Sequence, residues 1–284
     1  MKKRFVLIIT ITFLIVVGIF TSITIIHNSP YRWSRELIDA IENNDIQEAT
    51  LLLQQNYDVN TPSSKPNRIM DAFLESSPTV PLAKACYIGN YDMVKLLIDH
   101  GATASHIDGT GWSPLHQALI HYQEDDLWII PLLLDNGADP NYIESDTPPI
   151  MLVANLLSTQ QLKNEDALVV SLEIFKILEE RGADIDYINN RGDNIVIESA
   201  IYGNKLLLEY LLQEKKFDVN YKNDLGMTPL MGSVSLEQDI NKRTIQILLN
   251  NGADKNLKDN NGKTAYDYAI ENGNEEFAEL LRPE

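Results

Sequence analysis

The stretches LLLDNGADPN at 132–141, ILEERGADID at 177–186 and ILLNNGADKN at 247–256 decide the fold of this 284-residue chain. In each of them an aliphatic run leads into the phrase Gly-Ala-Asp. Aliphatic residues that recur three and four positions apart favour a helix with one buried face. Glycine adopts the left-handed backbone conformation with which many helices end. Each stretch therefore predicts the last turns of a helix, followed by a tight stop.

Three weaker copies show that this pattern is repeated along the chain. They are LLLQQNYDVN at 51–60, LLIDHGATAS at 96–105 and YLLQEKKFDVN at 210–220. The six copies follow one another at intervals of 34 to 45 residues. A period of this size indicates a stack of repeated units. In the first copy Asn56 replaces the glycine, and we expect it to take the same left-handed conformation.

A second phrase precedes the aliphatic runs and predicts the start of another helix. It reads VPLAKA at 80–85, SPLHQA at 113–118, TPPIML at 147–152, TPLMGS at 228–233 and TAYDYA at 264–269. A Ser or Thr hydroxyl caps free helix N–H groups. Pro is favoured at the first helical position, because an N–H there would have no acceptor within the helix. We expect Ser113, Thr147 and Thr228 to act as such caps. The fifth unit lacks the Thr-Pro pair, so its first helix should be less well capped.

The two phrases, in a common register, resemble the ankyrin repeat over roughly residues 34–282. The resemblance implies an all-α solenoid, in which helix-turn-helix units joined by hairpin loops stack side by side. It implies about seven units within an ankyrin repeat domain at 34–284. Insertions near 61–77 and 157–168 interrupt the pattern, and the second would lengthen a turn between helices. They are either tolerated surface insertions or loops that contact a partner.

The N-terminal segment has a different character. Residues 5–26 carry no charge and follow a basic tail at 1–4. A helix of this length crosses a hydrocarbon core of roughly 30 Å. The segment is either a transmembrane signal anchor or a cleaved signal peptide, and its length favours the anchor. Residues 27–33 would be a linker.

The basic tail also predicts an orientation. Basic residues before a membrane segment favour a cytoplasmic N-terminus. The ankyrin domain would then lie on the outer, periplasmic or extracellular side of the cytoplasmic membrane. Small chains of this plan, rich in Lys, Asn and Ile, are typical of bacteria.

The charge of the chain restricts its partners. The formal net charge is −18, and such a body repels the phosphate backbone of nucleic acids. A basic protein is a more natural partner, although the acidity is equally consistent with a role in solubility. The apolar share of 44% argues against disorder.

A search for chemical motifs finds no basis for catalysis. The five histidines lack metal-binding spacing, and neither a phosphate-binding loop nor a nucleophile elbow is present. By the resemblance, His116 is a structural residue that bonds the preceding hydroxyl. The single cysteine, Cys86, is interpreted as a core residue. We therefore expect no enzyme activity, no cofactor, no metal and no small-molecule substrate.

The resemblance implies that partners bind to the hairpin tips and to the exposed side of the first helices. The matching positions are Asp108, Thr110, Trp112, Asp146, Asn190, Arg191, Asn223, Asp224, Asp259 and Asn260. Trp112 is either an aromatic anchor for a partner or a residue that packs on its neighbour. Arg191 is either an ion-pair donor or a loop charge, and the loop charge is favoured.

Three functions remain open from the sequence. The first is a tethered, non-catalytic protein-binding module, more specifically an immunity-type protein that neutralises a secreted toxin or hydrolase. Export, an acidic surface and the missing catalytic motif motivate this hypothesis. The second is an envelope scaffold that organises a resident enzyme or complex. The third, an enzyme with an unrecognised site, is the least favoured because function must be argued from a site.

Overall fold

The computed structural model describes residues 30–63, 79–109, 111–120, 127–155, 165–234 and 241–283. Over these ranges fourteen α-helices form seven consecutive pairs, here called units 1 to 7. Units 1 to 4 are α1 Pro30–Glu42 and α2 Ile46–Leu53, α3 Pro81–Ile88 and α4 Tyr91–Asp99, α5 Pro114–Ile120 and α6 Ile129–Asp135, α7 Pro149–Asn155 and α8 Glu165–Glu180. Units 5 to 7 are α9 Ile195–Ile201 and α10 Lys205–Gln213, α11 Pro229–Gly232 and α12 Asn241–Asn250, α13 Ala265–Glu271 and α14 Glu275–Leu281.

The units stack through equivalent helices. Each first helix contacts the first helix of the next unit, from α1 through to α13. Among the second helices, α4 contacts α6, and α10 contacts both α8 and α12. One cluster of buried apolar side chains extends from Trp33 to Leu281 and includes Cys86. The predicted all-α solenoid is therefore confirmed, and Cys86 is a core residue.

The predicted transmembrane segment, residues 5–26, lies outside the described residues, as does residue 110. No helix in the described part of the chain is both long enough and apolar enough to cross a membrane. Helix α1 begins at Pro30, inside the segment 27–33 that was predicted as a linker. Trp33 explains this early start, because its ring is buried and its Nε1–H donates to the Leu52 carbonyl over 2.9 Å.

The predicted left-handed stops are confirmed at four helix ends. Gly101, Gly137, Gly182 and Gly252 have φ angles between 85° and 91°. The same expectation for Asn56 is wrong, since that residue does not have a positive φ. Helix α2 ends instead on a right-handed cap, and the turn closes through backbone bonds of the next residues.

The hydroxyl caps hold at two of the three expected positions. Ser113 Oγ accepts the N–H of His116, and Thr228 Oγ1 accepts the N–H of Met231, each over 3.3 Å. Thr147 is not a cap. Helix α7 begins at Pro149, one residue too late for Thr147, whose hydroxyl donates to the Ser145 carbonyl.

The first helix of unit 5 is well capped, contrary to the prediction. Asn194 Oδ1 accepts the N–H groups of Val196 and Ile197, each over 3.1 Å. Asn is as effective an N-cap as Ser or Asp, so the missing Thr-Pro pair costs this helix little. The insertion predicted at 157–168 is also shorter than expected. Its last residues, 165–168, belong to α8, where Ala167 and Leu168 are buried.

Candidate partner-binding surface

The loops between the units form a row of hairpin tips. Four of these loops share one backbone pattern, in which the N–H of the first residue donates to the carbonyl of the fifth. The fourth residue is a glycine of positive φ, and its N–H donates back to the first residue. The first and fifth residues of the four loops are Asp108 and Trp112, Asn189 and Asp193, Asn223 and Met227, and Asp259 and Lys263.

The glycine in these loops permits close stacking of the tips. A Cβ at Gly192 would lie 2.6 Å from the backbone nitrogen of Asp224 in the next loop. A Cβ at Gly226 would lie 2.6 Å from the side-chain oxygen of Asn260. Any larger residue would force the loops apart, so the spacing between tips depends on these glycines.

The loop between units 3 and 4 is shorter. Its two central residues, Ser145 and Asp146, have φ angles of 49° and 65°. The Thr147 N–H donates to the Glu144 carbonyl over 2.9 Å and closes a tight turn. Two successive positive φ angles are typical of a type I′ turn, whose twist suits a hairpin.

Five of the predicted tip residues connect neighbouring loops. Asp146 Oδ2 accepts the Asn190 N–H over 2.6 Å. The Asp224 N–H donates to the Arg191 carbonyl over 3.2 Å. Asn260 Nδ2 donates to the Asp224 carbonyl over 2.8 Å. The tips from the loop of Asp146 to that of Asn260 therefore form one continuous surface with fixed spacing.

Two predicted contact residues, Asp108 and Asp259, are buried instead of being displayed. Asp108 Oδ2 accepts a hydrogen bond from Gln117 over 3.3 Å. Asp259 Oδ2 accepts one from the Tyr268 hydroxyl over 2.7 Å. Burial alone would raise the pKa of Asp259, but its hydrogen bonds from Tyr268 and the Lys263 N–H outweigh burial and lower that pKa. Both aspartates hold a loop together, so the prediction that they face a partner is corrected.

Trp112 lies beside a buried histidine. Its ring centroid is 5.1 Å from that of His116, and it is only partly exposed. His116 Nε2 faces the Thr147 carbonyl at 3.0 Å, so Nε2 carries the proton and donates. Its Nδ1 then accepts from the Ser113 hydroxyl over 2.7 Å. Burial lowers the pKa of His116 and keeps it neutral, which agrees with its predicted structural role.

Arg191 makes ion pairs, so its interpretation as a plain loop charge is wrong. Its Nε lies 3.0 Å from Asp193 Oδ2, and its Nη2 lies 3.1 Å from Glu198 Oε1. Asn223 Nδ2 donates to the other Asp193 oxygen over 2.6 Å. Burial, and then the charge of Asp193, raise the pKa of Glu198.

A cavity of about 340 Å³ adjoins this charged group. Its lining residues are Arg191, Asp193, Ile197, Ile201, Tyr202, Asn223, Leu225, Met227 and Gly232. Arg191 and Asn223 were candidates from the sequence, whereas Leu225 and Gly232 were not. Aligning the loops of successive units would have drawn attention to Gly232, because other units carry a side chain at that position. Within the described residues, no cluster of three metal-ligating side chains occurs.

Comparison with protein families gives a consistent result over most of the chain. A family model for ankyrin repeats (3 copies) matches residues 37–144 and 167–259. A second model, for ankyrin repeats (many copies), matches residues 241–282.

Individual relatives match parts of the chain at modest identity. The ankyrin repeat protein YahD of Escherichia coli (strain K12) is 27% identical over 195 residues, which cover 68% of this chain and 90% of that protein. Rabankyrin-5 of Homo sapiens is 29% identical over 152 residues, or 51% of this chain and 13% of that protein. The crystal structure of the human ASB11 ankyrin repeat domain covers 87% of this chain and 98% of its own, with a TM-score of 0.65 and 20% identity. This last similarity shows the fold alone.

Proposed function

The chain belongs to the ankyrin repeat family, and from that premise we propose that it is a non-catalytic protein-binding module which residues 5–26 tether to a membrane. Ankyrin repeats are protein-protein binding modules. The tether, the side of the membrane and the partner are our proposal. The single observation that carries the binding function is the continuous row of linked tips from Asp146 to Asn260.

The linked tips supply what a binding surface needs. Loops on a rigid scaffold are common sites of contact, because the scaffold fixes their positions before a partner arrives. The stack of first helices lies behind these loops and connects all seven units in the described residues. A partner can therefore dock without ordering the loops first.

The proposed location rests on the uncharged segment 5–26 and on the basic tail before it. This arrangement would place the repeats outside the cytoplasm. The test is protease treatment of intact cells or spheroplasts, followed by carbonate extraction of membranes. Digestion of the repeats, with residues 1–26 retained in the membrane, is expected. Repeats that stay protected until lysis would contradict the orientation.

The proposed partner is a basic, exported protein, and we favour a secreted toxin or hydrolase that this chain neutralises. The net charge of −18 supports a basic partner, since complementary charge speeds association and disfavours acidic competitors. Neutralisation of this kind requires a large complementary interface and no chemistry.

The experiment is a pull-down from detergent-solubilised envelope, with the full-length chain as bait and mass spectrometry of the retained proteins. One dominant basic, exported hydrolase whose activity falls on binding would support the neutralising role. A set of resident membrane proteins without inhibition would indicate an envelope scaffold instead. No protein retained above an unrelated acidic bait would contradict both.

A further inference from the structure

A side chain on the first helix normally tethers the loop before it. In three of the four similar loops, the residue nine positions after the first loop residue is hydrogen-bonded to it. The pairs and distances are Gln117 to Asp108 at 3.3 Å, Glu198 to Asn189 at 3.2 Å and Tyr268 to Asp259 at 2.7 Å. In the fourth loop the first residue is Asn223, and the residue nine positions later is Gly232. The tether is missing there, and the cavity occupies this region.

The cavity has an apolar wall on each side. Ile197, Ile201 and Tyr202 line it from the side of α9, and Leu225 and Met227 line it from the loop. Leu225 is 55% exposed, so the wall itself reaches the surface and the cavity opens toward solvent. We call this cavity, defined by these residues and Gly232, the Gly232 pocket. Its volume is near the lower end of the range of roughly 300–1,000 Å³ found for pockets that hold a ligand.

Excess negative charge lies beside the Gly232 pocket. Asp193 and Glu198 share a single guanidinium, that of Arg191, which is the one cation among the described residues lining the cavity. With two carboxylates and one guanidinium, the group carries one excess negative charge. Both carboxylate side chains are at least nine-tenths buried, so water screens this charge poorly.

We propose that the Gly232 pocket receives one large apolar side chain of a protein partner, from a segment whose neighbouring Lys or Arg pairs with Asp193 and Glu198. This inference rests on the proposed binding function and specifies the chemistry of the partner. The apolar walls select the inserted side chain, and the excess negative charge selects the basic residue beside it. Hot spots of protein interfaces are often large side chains, above all aromatic ones, that fill a desolvated pocket near the centre of the interface.

The proposal is tested with a phage-displayed library of random twelve-residue peptides, selected on the immobilised full-length chain. Peptide affinities are then measured for the parent protein and three variants. Leu225→Glu places a charge on the pocket wall. Gly232→Leu fills the cavity, and its Cβ would lie 3.0 Å from Ile201 Cγ1 and 3.8 Å from the Ile197 carbonyl oxygen. The matched control is Leu51→Glu, because Leu51 is 58% exposed and lies on α2, away from the pocket.

We expect the selected peptides to share a large apolar residue within two positions of a Lys or Arg. Leu225→Glu and Gly232→Leu should each weaken their binding at least tenfold, whereas Leu51→Glu should leave it unchanged. Circular dichroism melts establish that each variant is folded. Because Leu225→Glu alters an exposed side chain, we expect this variant to fold as the parent does.

Three results would overturn the proposal: selected peptides without a basic residue, peptides that bind all variants equally, or no selected peptide at all. None of these would affect the envelope pull-down, which reports on any part of the surface. A partner retained equally by the parent and Leu225→Glu would preserve the binding function and reject the pocket. An empty pull-down would reject the binding function itself.

Discussion

The contact between a loop and the first helix after it, here called a junction, differs between two units of the stack. The junction at Asp259 and Tyr268 is closed by a side-chain hydrogen bond, whereas the junction at Asn223 and Gly232 lacks such a bond and is open. Both loops nevertheless have the same pair of backbone hydrogen bonds. In the closed junction the Tyr268 hydroxyl reaches the buried carboxylate of Asp259. In the open one a glycine leaves a cavity, and Asn223 Nδ2 turns to Asp193 of the preceding loop. The repeat therefore fixes the backbone of the loop, and a single helix position decides whether a unit is only structural or offers a pocket.

The largest effect is expected from breaking the closed junction. Asp259 accepts hydrogen bonds from Tyr268 and from the N–H groups of Asn261 and Lys263. Asp259→Ala leaves these donors without their acceptor, so we expect a loss of roughly 2–4 kcal/mol in the free energy of unfolding. Tyr268→Phe removes one bond and should cost about 1 kcal/mol. Urea unfolding followed by circular dichroism measures both, and equal losses would contradict this account of the loop.

A second prediction uses pH to distinguish Glu198, in the charged group beside the open junction, from Asp259 in the closed junction. Burial raises the folded-state pKa of Glu198 above its ordinary value of 4.5, so folding favours its protonated form. As the pH falls from 7 through that folded-state pKa, the parent should gain stability relative to Glu198→Gln. Urea midpoints of the two proteins across this range measure the difference. If the difference between the two urea midpoints does not change with pH, the pKa of Glu198 is the same in the folded and unfolded states.

Asp259 should respond in the opposite direction. Its folded-state pKa lies below the ordinary value of 3.8, so the stability it contributes is fully present above that pH. The contribution is lost as the pH falls from 3.8 through the folded-state pKa. Asp259→Asn should therefore have a lower free energy of unfolding than the parent above pH 3.8, and this difference should shrink as the pH falls below that value. A difference that stays constant to the lowest pH would contradict the assignment.

The smallest effect on stability is expected from closing the open junction. Gly232→Gln supplies the side chain that Gln117 provides in unit 3. Replacing glycine in a helix gains up to about 1 kcal/mol, and the tight approach of the new Cβ to Ile201 opposes this gain. We expect a change in unfolding free energy within about 1 kcal/mol, together with loss of peptide binding. A strongly destabilised protein would show that the cavity is required for folding.

Much of the fold follows from local chemistry that a sequence displays directly. The left-handed stops at Gly137 and Gly252 and the caps at Ser113 and Thr228 each depend on one residue and its immediate neighbours. The errors arose where another residue could do the same task. Asn194 caps α9 without a Thr-Pro pair, and α2 ends without the left-handed residue expected at Asn56.

The candidate site was less predictable, because its features join residues that are distant in the sequence or consist of a missing side chain. In the sequence Asp108 and Asp259 resemble exposed turn residues, but in the folded structure they are buried against the following helix. The partners of Arg191 depend on how the loop folds back onto α9. The sequence around Gly232 does not predict a pocket. The missing side chain becomes evident only when Gly232 is compared with Gln117 and the other residues at the same helix position.

The most direct test of the account is photo-crosslinking with a photoreactive amino acid placed at position 225 or, as a control, at position 51 of the full-length chain. The experiment is performed in cells of the source organism, and adducts are identified by mass spectrometry. The account predicts one dominant adduct with a basic protein from position 225 and none from position 51, because Leu225 borders the pocket and Leu51 lies on another unit. The same adducts from both positions, or no adduct from position 225, would contradict it.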